Sequence, residues 1–212
     1  QPAVRSPLAV VGARRPAARE QALRRGQLVH ALLQYLPDLP AARRAEVARG
    51  WLARPGNALD RADQQRIVTQ VLAVMDDARI APLFGPGSRS EQPLAGVAGG
   101  SVIVGQVDRM VVRPDAVWLC DFKTNRLPPA DVAATPVLYL RQMASYRALL
   151  TALYPGRPVR CTLVWTEEVR ITILPDSLLE RHAPGAGGPD AGNLETGPSG
   201  CHVLTKSSEP EE

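Results

Sequence analysis

Two apolar runs separated by four residues constrain this chain more than any other feature. Ser101–Val112 and Val117–Thr124 are rich in Val and Ile, and between them lie Arg113, Pro114, Asp115 and Ala116. A Pro-Asp pair between two such runs predicts a tight turn, and therefore a β-hairpin. Side chains alternate along a strand. In the second run Val117, Leu119, Asp121 and Lys123 then share one face, and Trp118, Cys120, Phe122 and Thr124 the other. In the first, Val102, Val104, Gln106 and Asp108 share a face. Pairing about residues 113–116 brings Asp108 near Asp121, with Lys123 alongside.

The hairpin needs cover, and the flanking sequence supplies it. Upstream, helical spacing of apolar residues predicts helices over about 16–36, 40–53 and 60–80, with Pro37 ending the first and Asp60 capping the third. FGPGSRS (84–90) is turn material, and 91–98 reads as a short strand. Downstream, a Pro-containing loop over 126–136 leads to a helix over about 136–153, which Tyr154, Pro155 and Gly156 stop. Gln142 and Tyr146 lie on one face of that helix with Leu138, Leu149 and Leu153. Strands follow at 159–166 and 170–174. The order is helices, three strands, helix, two strands. It predicts an α/β fold with a mixed sheet flanked by helices and an N-terminal helical portion.

The ends differ from the body. Residues 1–16 are rich in Pro, Ala and Arg and read as a linker; 17–182 form the domain. Residues 183–212 are too poor in apolar side chains to offset ordering entropy and read as a disordered or weakly attached tail. Residues 1–182 carry 24 Lys/Arg against 16 Asp/Glu, a net of +8; residues 183–212 carry one Lys against five acids, a net of −4. A basic body fits either a polyanionic partner such as nucleic acid or a solvated arginine-rich surface. Cys120, Cys161 and Cys201 are scattered, which argues against a disulfide framework or zinc ribbon and fits free thiols in a cytosolic protein. No signal peptide or membrane span is read, and a start at Gln1 suggests a piece of something longer.

Lys123 stands out because arginine is this chain's usual cation. Of 25 Lys plus Arg, only Lys123 and Lys206 are lysines. Lysine is a compact point donor, whereas arginine is bulky and fixed in charge. Two adjacent carboxylates repel unless a cation sits between them, and oxygen ligands suit Mg²⁺. Asp108, Asp121 and Lys123 therefore suit a metal–water site, although a charged surface hairpin accounts for D-x-K alone. His30 is a lone histidine on the first helix, and on a buried helix such a residue is more often a satisfied core histidine than a ligand. Gly26, one turn earlier, permits close backbone approach.

The order of the short motifs is more specific than any one of them. RGxxVH (Arg25–His30) comes first, then SExPL (Ser90–Leu94), GxVDR (Gly105–Arg109), DFKTN (Asp121–Asn125) and QxxxY (Gln142–Tyr146). In this order they resemble the PD-(D/E)XK nucleases of the RecB type, most closely the nuclease domain of AddA, a bacterial helicase–nuclease subunit. The resemblance runs over about 16–174.

It implies a restriction-endonuclease-like fold and a Mg²⁺-dependent deoxyribonuclease, with Mn²⁺ as a possible substitute. By position, His30, Asp108, Asp121 and the backbone carbonyl of Phe122 would hold the metal. Asp108, Asp121 and Lys123 would be the catalytic set. Glu91, Thr124, Gln142 and Tyr146 would support it, with Asn125 belonging to the same motif. The expected substrate is single-stranded DNA at the ends of double-strand breaks. Upstream helicase domains and an AddB-like subunit are the expected partners, in the bacterial cytosol and nucleoid, without membrane association. The chain contains no GxxxxGK(S/T) loop for ATP and no four-cysteine set for an iron–sulfur cluster. The alternative is a DNA-binding or scaffolding module that keeps the fold without cleaving alone.

Overall fold

In the computed structural model of this chain, residues 16–124, 128–186 and 202–204 are described. Three helices come first: α1 (Pro16–Tyr35), α2 (Ala41–Leu52) and α3 (Arg61–Met75). Asp60 caps α3 by accepting the Asp63 N–H at 2.7 Å, as its position in the sequence predicts. The helix ends five residues earlier than expected. Asp77 accepts the Arg79 N–H at 2.9 Å, and that side-chain bond turns the chain away from helix.

The strands β1 (Ser88–Ala98), β2 (Ser101–Val112) and β3 (Val117–Lys123) form an antiparallel meander. Three residues of the expected turn, 88–90, belong to β1. Next, α4 (Val137–Leu153) crosses over to β4 (Val159–Trp165), which pairs parallel with β3 and antiparallel with β5 (Arg170–Leu174). A short helix, α5 (Asp176–Glu180), follows. The sheet is mixed, in the order β1-β2-β3-β4-β5. Within the expected tail, β6 (His202–Leu204) pairs with residues 102–104 of β2. Pairing between β2 and β3 begins only at residue 109, so this edge of β2 is open to another strand. The remaining expectations for 1–16 and 183–212 fall almost wholly outside the described residues.

Helices cover both faces. On one side α1–α3 bury Leu33, Leu52, Ile67, Val71 and Val74 against Val111, Cys120, Phe122 and Val164. On the other, α4 buries Leu140, Met143, Tyr146 and Leu150 against Leu119, Leu163 and Trp165. In β3, Cys120 and Phe122 face α1 while Val117 and Leu119 face α4, as alternation requires. The polar pair Gln142 and Tyr146 is buried, but Leu138 and Leu153, expected beside it, are exposed. Cys120 and Cys161 are buried free thiols; Cys201 lies outside the described residues. Among the described residues no helix is long and apolar enough to cross a membrane.

Tyr146 fixes β2 where the sheet approaches α4. Its hydroxyl accepts the Gln106 N–H (3.2 Å) and donates to the Gln106 carbonyl (2.9 Å). The ring crosses Gly105, where an added Cβ would lie 2.6 Å from the hydroxyl oxygen and 2.7 Å from Cε1. Gly105→Ala is therefore expected to lose about 2 kcal/mol in urea unfolding through overpacking. In Gly105→Ala/Tyr146→Ala the loss should be smaller than the sum of the single losses. Simple additivity would show that the two residues do not meet.

Candidate active site

The site begins where β2 leaves β3. Their register runs from Val112↔Val117 to Arg109↔Cys120 and stops one step short of Asp108 and Asp121. Asp108 Oδ2 instead accepts the Phe122 N–H at 2.6 Å, so a side chain stands in for the next rung of the ladder. At this point β2 also changes faces. Gly105 and Val107 lie toward α4, whereas Arg109 reaches α1 and Val111 joins the core beneath it. Asp108 lies at the changeover. Opposite it, between the pairs Ser90↔Arg109 and Gln92↔Val107, Glu91 has φ +50°. A left-handed backbone at a non-glycine residue costs on the order of 1 kcal/mol.

Four contacts bring α1 to this opening. Gly26 packs on Thr124, where a Cβ would come within 2.9 Å of Thr124 Oγ1. Arg25 forms a partly buried ion pair with Glu167, which also accepts from Gln70 of α3. Arg109 donates to the Leu33 and Gln34 carbonyls in the last turn of α1, both at 3.0 Å. It also donates to the Leu83 carbonyl (3.3 Å) and to Ser88 Oγ (3.0 Å). These bonds satisfy carbonyls that a helix end leaves unpartnered, and they couple α1 to the residue beside Asp108. His30 Nδ1 consequently lies 3.5 Å from Asp108 Oδ1, with its ring edge-on to Phe122.

His30, Glu91 and Asp108 each offer a ligand atom, and the three atoms lie within 4.8 Å of one another. Burial lowers the His30 pKa, but the hydrogen bond and charge of Asp108, with the charges of Asp121 and Glu91, outweigh it and raise the net value. Burial raises the Glu91 pKa, and the Asp108 charge adds to the rise. The Asp108 charge contributes to both shifts, and converging carboxylates of this kind favour a cation.

Asp121 and Lys123 form the neighbouring half. Their side chains are 1% and 3% exposed, and Lys123 Nζ lies 2.5 Å from Asp121 Oδ2. The contact is one of charge, since Asp121 Oδ2 lacks a well-directed hydrogen bond. Lys123 donates to Gln142 Oε1 at 3.0 Å. Gln142 Nε2 lies 3.3 Å from both Asp121 Oδ1 and the Tyr146 hydroxyl. From Tyr146 the polar chain continues to Gln106, whose Nε2 donates to Glu91 Oε2 at 2.5 Å. One network thus joins Lys123 to Glu91 through the support residues of α4.

The structure therefore gathers His30, Glu91 and Asp108 into one group and turns the Asp121 carboxylate toward Lys123. Phe122 directs its N–H, and with it the strand edge that carries its carbonyl, toward Asp108. Thr124 seats α1; Asn125 lies outside the described residues. Sequence reasoning left Arg109, Gln106 and Tyr139 without roles. Arg109 carried a signal as a lone arginine in an apolar strand. Gln106 and Tyr139 carried none beyond proximity to motif residues.

The buried pair has a pH signature. Burial, opposed by Lys123 and reinforced by Asp108, pushes Asp121 from 3.8 up to about 6. An acid with a higher folded than unfolded pKa costs stability as pH rises through that interval. Lys123→Met leaves the carboxylate buried without its cation, at a cost of roughly 3–5 kcal/mol. The loss should be larger at pH 8 than at pH 5, where Asp121 can take up a proton. Denaturant unfolding at the two pH values measures this, and equal losses would contradict it.

The geometry agrees with a comparison against protein families. The PD-(D/E)XK nuclease superfamily matches residues 8–195. A comparison with curated proteins found no match. The matched span takes in both core layers, the splayed strands and every residue of the two polar groups, and the chain belongs to the PD-(D/E)XK nuclease superfamily.

Proposed function

We propose that this chain is a divalent-metal-dependent DNA nuclease domain of the RecB/AddA type, extending over about 17–182, with 1–16 as a linker and 183–212 as a tail. The observation that carries the proposal is the His30–Glu91–Asp108 group beside the buried Asp121–Lys123 pair. The donor set fits a hard divalent ion. It offers two carboxylates and one imidazole, and the carboxylates repel without a cation between them. His30, Glu91 and Asp108 would hold Mg²⁺ or Mn²⁺, with Asp121 and the Phe122 carbonyl on the β3 side. Such an ion supplies Lewis acidity toward a phosphate oxygen and lowers the pKa of a water.

The protein's own groups have distinct tasks. The Phe122 N–H fixes the orientation of Asp108. Asp121 and Gln142 hold the Lys123 ammonium at the end of β3. From there Lys123 would orient the attacking water and offset charge developing on the phosphate. Tyr146 and Gln106 brace the strand that carries Asp108, and Gln106 also holds Glu91. Burial of the ion pair strengthens its field where charge develops.

Motif order and the basic body support single-stranded DNA as substrate, during end processing of double-strand breaks. An upstream helicase would deliver the strand, with an AddB-like partner, in the bacterial cytosol. Cleavage of end-labelled single-stranded DNA tests the reading. We expect cleavage with Mg²⁺ and none with EDTA. Asp108→Ala, Asp121→Ala and Lys123→Ala should each lower the rate by roughly 10³-fold. Full activity in a folded Asp121→Ala protein would overturn the site assignment. DNA binding without metal-dependent cleavage would favour a binding or scaffolding module.

A further inference from the structure

The contacts around Lys123 include one that motif reading does not use. Lys123 Nζ lies 4.0 Å from the centre of the Tyr139 ring, over its face. An ammonium has three N–H groups. Gln142 Oε1 accepts from one, the Asp121 carboxylate stands beside the ammonium as its counter-charge, and the Tyr139 π-face lies against it as a third neighbour. Tyr139 and Gln142 are three residues apart in α4, so one turn of helix supplies two of the three contacts. The ring is itself supported. Its centroid is 5.9 Å from that of Trp165, the cross-strand partner of Lys123, and the Trp165 indole N–H donates to Thr172 Oγ1 at 3.1 Å.

We infer that Tyr139 is a positioning residue for Lys123, acting through its ring face. The inference rests on the role proposed above for Lys123. A lysine side chain has many rotamers, and a carboxylate with an amide oxygen constrains its head from two sides only. The π-face adds a third wall that attracts the ammonium through the ring quadrupole and excludes water there. The enclosure also accounts for lysine over arginine. A planar guanidinium carrying five N–H donors has a different shape and hydrogen-bonding demand from the compact ammonium enclosed here.

The scarcity of lysine provides the test. With only Lys123 and Lys206 in the chain, ¹³C-lysine labelling gives two sets of side-chain signals. Lys206→Arg leaves the Lys123 set alone and assigns it. Protons over an aromatic face shift upfield, so the Lys123 ε-methylene signal should lie upfield of the Lys206 signal. Tyr139→Phe keeps the face and should keep both the shift and the turnover. Tyr139→Leu, with Tyr139→Met as a second non-aromatic variant, should lose the shift. In these variants kcat on single-stranded DNA should fall roughly tenfold. KM and Mn²⁺ affinity, the latter read by titration calorimetry, should hold.

An unshifted Lys123 signal in the unmodified protein would overturn the inference. So would full kcat in a folded Tyr139→Leu protein, or equal loss in Tyr139→Phe, which would assign the effect to the hydroxyl. Absence of cleavage in the unmodified protein would instead overturn the nuclease reading. The signal shift would still decide the Tyr139 contact.

Discussion

The Asp108 carboxylate occupies a place in the sheet that a backbone carbonyl would otherwise fill. By accepting the Phe122 N–H at 2.6 Å, it satisfies a buried donor and lets β2 diverge from β3. The rest of the site depends on this exchange. A regular ladder through this point would leave no gap for other side chains to enter. With the strands parted, Glu91 reaches in from β1 and His30 from α1, while Asp121 and Lys123 stay on β3 under α4. Two helices on opposite faces of the sheet thereby address one opening.

Electrostatics then divide the opening into two halves. His30, Glu91 and Asp108 concentrate negative field at the partly accessible side, where the imidazole is drawn toward its protonated form. Asp121 and Lys123 lie deeper, where burial alone would drive the carboxylate to protonate and the neighbouring ammonium restrains it. A buried ion pair is weak support for stability. Its presence, with hydrogen bonds leading on to Tyr146 and Gln106, is better explained by the need to fix one ammonium in one place. The left-handed Glu91 adds local strain at the same point.

Much of the architecture was legible because its signals are periodic and local. Alternation in β3 assigned Asp121 and Lys123 to one face, and the Pro114–Asp115 turn set a register that carries Asp108 toward Asp121. Motif order pointed to the PD-(D/E)XK nuclease superfamily, which matches residues 8–195. The change of face at Asp108 was not legible, because it arises from the divergence of two strands rather than from either sequence alone. For the same reason the grouping of Glu91 with His30 and Asp108 leaves no mark in the sequence. Its backbone geometry depends on the opposing strand. Arg109 shows a further limit. Its partners are carbonyls of Leu33, Gln34 and Leu83, which leave no mark in side-chain patterns. The pairing of β6 depended on an open stretch of β2 that no local pattern announces.

The central claim is that the parted strands create a cation site bounded by α1, β1 and β2, with the lysine pair adjoining it. Anomalous diffraction from a crystal of the full chain soaked in Mn²⁺ tests it most directly. The account predicts an anomalous peak within about 2.0–2.6 Å of ligand atoms of His30, Glu91 and Asp108. An ordered site without a peak there, or a peak held elsewhere with these three side chains uninvolved, would contradict it.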